Sequence, residues 1–190
     1  MTLSRRILIR WVQLAALATA VSLMVYVAVQ QVGRQIANDP QIQISRDARA
    51  AIAAGQPVES VVPAARVDIE TSLAPWVTIQ NDSGVVVASS GRLHGQLRSV
   101  PGGVLESVRQ NGEEQVTWQP EPGVRMATVV VRTPGSPGVF VVAGRSLRET
   151  EARISMLGKL LLVAWVATLV GLLVVVAATE ALAPTPLARA

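Results

Sequence analysis

The chain has 190 residues, half of them hydrophobic, with 16% charged and a formal net charge of +4. It contains no cysteine, which excludes disulfides, thiol catalysis and cysteine-held metals. Between Gln30 and Gly158, 12 arginines oppose 12 acidic side chains, so the positive excess lies at the ends and gives no reason to expect nucleic-acid binding.

The first predicted element is an apolar run of 19 residues, Trp11–Val29, that carries no charge. A helix of roughly 20 residues at 1.5 Å rise covers a hydrocarbon core about 30 Å thick. Arg5, Arg6 and Arg10 precede the run, with no acid among them, and are the topology determinants: they place the N-terminus in the cytoplasm and the middle of the chain outside. The run exceeds the length of an ordinary signal-peptide core, and Tyr26-Val27-Ala28 is a poor cleavage site, so the reading is an uncleaved signal anchor. A cleaved signal peptide and a helix of a soluble bundle are the alternatives.

Beyond it, Gln30–Asn38 keeps a helical pattern, and Asn38-Asp39-Pro40 predicts a stop or kink. A second helix is expected over Ile42–Ala54, ended by Gly55, and a further turn or short helix over Ala64–Leu73. The period then changes to two: Trp76–Gln80, the turn Asn81-Asp82-Ser83-Gly84 and Val85–Ser89 predict a β-hairpin. A short helix at Val104–Arg109, ended by Asn111-Gly112, precedes three strands at Glu114–Gln119, Val124–Arg132 and Val139–Gly144. Five strands with brief connections predict an α+β domain with a five-stranded antiparallel sheet carrying helices on one side.

Chemistry is sparse. His94, the one histidine, falls in a loop-like stretch; it is a candidate ligand contact, with Asp82 or Glu59 as conceivable companions, but too isolated to nucleate a metal site. Trp118 and Arg125 flank the Pro120–Gly123 turn and form a candidate site for a small carboxylate, against the plainer reading in which Trp118 fills the core and Arg125 pairs with an acid. No nucleophile elbow, zinc-protease motif, P-loop or dinucleotide fingerprint occurs. The expectation is therefore no catalytic residue, no metal and no cofactor; an exported enzyme built only on carboxylates is a lesser alternative.

Ser146-Leu147-Arg148-Glu149 has the spacing of a capping box, and Glu149 and Arg153 that of an i,i+4 pair. These three residues, Ser146, Glu149 and Arg153, open an expected signal-transfer helix running from Leu147 to Thr179, about 50 Å long. It contains the second charge-free apolar run, Leu160–Ala178, with Lys159 on its outer flank and Glu180 and Arg189 on its inner one.

The order of these parts resembles the sensory end of bacterial two-component sensor histidine kinases. The stretch VVAGRSLRETEARI before the second run resembles the helix that leads into the second span there, and Pro184 or Pro186 in EALAPTPLA resembles the proline that opens the HAMP module. The hairpin WVTIQNDSGVVVASSG, with VTWQPEPGVRMATVVV after it, resembles PAS-like extracytoplasmic sensor domains. The resemblance implies a division into a cytoplasmic basic N-terminus (1–10), a first span (11–29), a sensor domain (30–158), a second span (159–179) and a short cytoplasmic tail (180–190).

It further implies a cell-membrane protein that takes a small-molecule or protein ligand outside and partners the lipid bilayer and either a second copy or a kinase. The HAMP, phosphoacceptor and ATP-binding parts of such kinases are missing from these residues, and His94 falls on the outer side and does not carry over as a phosphoacceptor. The expected function is a signal-input module without its own kinase domain, either stand-alone or a fragment. A structural or accessory protein that binds another membrane protein laterally is the alternative.

Overall fold

Helix α1 spans Leu3–Ala53 and leads to β1 (Val67–Asp68), β2 (Trp76–Asn81), β3 (Val86–Ser89), β4 (Gly91–Arg92), α2 (Gly102–Asn111), β5 (Glu113–Glu121), β6 (Val124–Arg132), β7 (Val139–Ser146) and α3 (Arg148–Leu182). These elements come from a computed structural model, which describes residues 3–135 and 138–182. They group into two units, one within Met1–Val32 and Arg153–Ala190, the other Gly33–Ala152.

In the second unit, β3-β2-β7-β6-β5 form one antiparallel sheet of five strands, as expected. The hairpin β2–β3 closes through Asn81: its N–H donates to Val85 O, its carbonyl accepts the N–H of Gly84, and its side-chain oxygen accepts the N–H of Val85. Gly84 supplies the positive φ of 81° that the turn needs. Strands β1 and β4 pair in parallel as a separate two-stranded ribbon; of the turn or short helix expected over Ala64–Leu73, a turn follows β1 at residues 69–71 and no helix forms. That ribbon joins segments far apart in the chain, so local composition carries no trace of it.

The sheet is covered on both faces, a correction to helices on one side. Val77, Ile79, Val129, Val131 and Val141 point to one face, where Ile42, Ile44, Ala48 and Ile52 of α1 meet them. Trp76, Met126, Val130, Phe140 and Val142 point to the other, beneath Leu105 and Val108 of α2, Val67 and Ile69. This double cover explains why β6 and β7 read as almost continuous valine runs and not as an alternation. Burying such an aliphatic side chain stabilises the fold by about 1.5–3 kcal/mol relative to leaving it exposed.

Strand β5 fastens the helices to the sheet. Neighbouring strand residues face opposite sides, and Glu113 accordingly takes Arg46 of α1 at 3.2 Å while Glu114 accepts the hydroxyl of Ser107 of α2 at 2.6 Å. Gln115, back on the first side, accepts from Asn38 at 3.3 Å.

Pro40 does not stop the helix; α1 runs through it. A proline there withholds one backbone hydrogen bond. The turns after it are held from the other direction, because Gln41, Ser45 and Ala48 lie buried at helical spacing against the sheet. The helix ends as expected near Gly55, whose N–H donates to Ile52 O.

The first unit pairs the leading part of α1 with α3. The indole of Trp11 donates to Leu169 O at 2.9 Å, that of Trp165 to Thr19 Oγ1 at 3.0 Å, and Tyr26 lies beside Gly158. As the number rises on one helix it falls on the other, so the two are antiparallel. Both are long and apolar enough to cross a membrane. Leu17, Leu23, Met24, Leu162, Val163 and Val174 are exposed, unlike the core helices of a soluble bundle.

Candidate functional site

The candidate carboxylate site around Trp118 and Arg125 does not form. Trp118 is 7% exposed and meets Trp76 edge to face at 5.8 Å, whereas Arg125 pairs with Glu151 at the start of α3. Both side chains take the plainer role. The indole of Trp76 lies between two glycines: a β-carbon at Gly91 would sit 3.1 Å from its ring, and one at Gly144 would sit 2.2 Å from Cζ2.

His94 is exposed and adopts a positive φ of 51°, rare for a residue with a side chain. Its ring lies between two carboxylates, Nε2 at 3.0 Å from Glu121 and Nδ1 at 3.5 Å from Glu70, neither of them the companions expected from sequence. A carboxylate can only accept, so Nε2 carries the proton that faces Glu121. The hydrogen bond and charge of Glu121 raise the imidazole pKa above its ordinary value of 6.5. Arg98 closes the group with a 2.7 Å bond to the other oxygen of Glu121. Among the described residues no cluster of three or more potential ligands could hold a metal ion.

At the junction with α3, Ser146 is the last residue of β7 and not part of a capping box. Its Oγ accepts the N–H of Arg148 at 3.3 Å, while its backbone pairs opposite Met126 in the sheet. Glu149 meets Arg145 at 3.6 Å, and Arg153 lies a turn further along the helix. Leu147 alone separates strand from helix: its N–H donates to Arg125 O and its carbonyl accepts from Glu151.

Within the helix pair, the three leading arginines differ. Arg10 approaches Glu180 at 2.7 Å and Arg6 at 3.9 Å, while Arg5 stays exposed. The contact with Arg10 is electrostatic, because Oε1 of Glu180 takes no aligned N–H. Glu180 is 5% exposed. Sequence reasoning named these residues as flanks and missed the pairing. Pro184, Pro186 and Arg189 lie outside the described residues.

A third grouping was not visible in the sequence. Arg49 and Ala53 of α1, Arg109 at the end of α2, Gly112, Arg132 at the end of β6 and Thr133 just after it line an open cleft of about 580 Å³. Arg109 and Arg132 both lie over the ring of Phe140, at 5.3 and 5.9 Å from its centroid. Both reach Asp82 in the β2–β3 turn: Arg109 donates to its carbonyl at 2.6 Å, and Arg132 to its carboxylate at 3.2 Å. Glu106 bonds the remaining side of Arg109 at 2.8 Å, which lowers the pKa of that carboxyl.

No family model, no curated protein and no solved structure matches the chain.

Proposed function

We propose that the chain is a membrane-anchored signal-input protein whose second unit is a PAS-like sensor domain outside the cell membrane. The observation that carries this reading is the passage from β7 into α3: a central strand of the sheet gives way after one residue to a helix that continues unbroken through the second apolar run. A change in the sheet that bears on Leu147 would thus bear on the start of that helix.

Further observations support it. Counted over its own five strands, the main sheet has the order 2-1-5-4-3, which accords with a PAS-like domain. The exposed apolar side chains of both long helices accord with a lipid surrounding. Their antiparallel pairing and the Arg10–Glu180 contact accord with two adjacent spans that share a charged end. The leading arginines orient that pair with the N-terminus inside and the second unit outside. On this reading, the partner that receives the displacement is either a second copy of the chain or a kinase of the two-component type.

The test is disulfide trapping in this cysteine-free background. Thr19→Cys with Trp165→Cys replaces a contact of 3.0 Å between the helices, and Ser22→Cys with Leu162→Cys samples the same face. In native membranes, crosslinking yield at one or both pairs should change when the outer medium is changed in pH or in small-anion content. Yields that stay constant under every such condition refute signal input and leave an accessory role.

A further inference from the structure

We infer that the arginine cleft of the second unit is a binding site for a compact oxyanion, the shared chemistry of small carboxylates and phosphate monoesters. Three guanidinium groups line it, from α1, α2 and β6. Their described acidic partners are two: Asp82, shared between Arg109 and Arg132, and Glu106, held by Arg109. Arg49 has no hydrogen bond or ion pair among the described residues, so the cleft keeps one unneutralised cation. Arg46, one turn before it, is already matched by Glu113 and adds no excess.

Helix ends do not account for this arrangement. A cation in the last turn of a helix is favoured by the carbonyls left open there, and that explains Arg109, which is in the last turn of α2. It does not explain Arg49, because the last turn of α1 contains no base. The guanidinium groups of Arg109 and Arg132 are also fixed in advance. Each is held over Phe140 and tied to Asp82, and Nε of Arg132 is buried with no partner. Donors held in place before the ligand arrives lose less freedom on binding, and a guanidinium offers a carboxylate or phosphate two parallel bonds. A volume of about 580 Å³ takes an anion of a few to a dozen heavy atoms with its water.

As a statement of binding, the inference stands on these side chains; as the identity of a stimulus, it rests on the sensor reading. The test is calorimetric titration of the full chain in detergent, with sodium citrate in one arm and sodium phosphate in the other, at ionic strength held constant with sodium chloride. One anion per chain should bind saturably at millimolar or lower concentration in at least one arm, and the stronger arm identifies the ligand chemistry. Arg49→Ala should weaken it by roughly tenfold or more, the loss expected for one charge-assisted contact. Arg49→Lys should retain part of it, and Arg66→Ala, an exposed change outside the cleft lining, should leave it unaltered. The half-buried Arg49 side chain forms no hydrogen bond or ion pair among the described residues, so circular dichroism of its variants should match the parent.

Absence of saturable heat in both arms, or equal binding by the parent and Arg49→Ala, overturns the inference. Running the crosslinking assay with the same anions separates the two claims. Saturable binding with crosslinking that stays constant under anions and pH alike keeps the site and refutes the sensor reading, whereas crosslinking that responds to pH without saturable heat in either arm does the reverse.

Discussion

Gly144 is the position where a single added carbon does most damage. The Trp76 indole occupies the space its side chain would need, at 2.2 Å from the added atom, and Gly91 blocks retreat on the other side. Gly144→Ala should therefore destabilise the second unit by about 1–3 kcal/mol, as overpacking does in a filled core; chemical denaturation monitored by tryptophan fluorescence measures it. His94 makes a prediction of a different kind. Its pKa is raised in the fold, so the stabilisation it adds is complete below the unfolded value of 6.5 and is lost as pH rises through the higher folded value. Glu106 acts in the opposite sense: its lowered pKa gives stabilisation that is present above its unfolded value of 4.5 and lost in acid. The parent's denaturation midpoint should fall above pH 6.5 by an amount that His94→Gln removes, with nuclear magnetic resonance of the imidazole giving the titration itself. Residue types alone were a partial guide. The aromatic and basic character of Trp118 and Arg125 was plain, yet the same properties serve a core and an ion pair equally well.

At the scale of elements, local signals were legible where the structure is local. The β2–β3 hairpin, α2 with its closing glycine and the three later strands can be read from alternation and turn residues. The ribbon β1–β4 joins Val67 to Gly91 and is held by partners outside any short window, so an alanine- and arginine-containing stretch reads as turn or short helix and gives no sign of a strand. Pro40 failed as a stop for a related reason: propensity weighs one lost hydrogen bond, whereas the packing of Gln41, Ser45 and Ala48 decides the outcome. The cost is still present in the folded chain. Pro40→Ala should restore a donor to the helix and raise the stability of the second unit by about 1–3 kcal/mol, less the chain freedom that alanine returns to the unfolded state. A lower midpoint in urea would show that α1 needs a bend there.

For the molecule as a whole, the two long apolar runs stand out from sequence because charge-free stretches of 19 residues have the length a membrane-crossing helix needs. The arginine cleft does not, since Arg49, Arg109 and Arg132 come from three elements with no fixed spacing, and only the tertiary fold brings them to one place. Orientation is a property at this scale too. Replacing Arg5, Arg6 and Arg10 together with Gln removes the cations ahead of the first run, and a substantial fraction of molecules should then insert reversed. Ser83→Cys, exposed in the β2–β3 turn, reports this: a membrane-impermeant maleimide should label it in intact cells in the parent background and less so in the triple variant. Equal labelling in both would show that these arginines do not set the topology.

Strand β5 is one of the two outer strands of the main sheet and, at nine residues, the longer of them. Its free rim of backbone donors and acceptors is a template on which a strand from another molecule could add. Pro120 interrupts that rim by withholding a donor, and the charges of Glu113, Glu114 and Glu121 stand along it. Glu113 and Glu114, which tie the helices to the sheet, therefore also place charge on an edge strand, the feature that discourages strand addition, so one short stretch serves both assembly and protection of the edge.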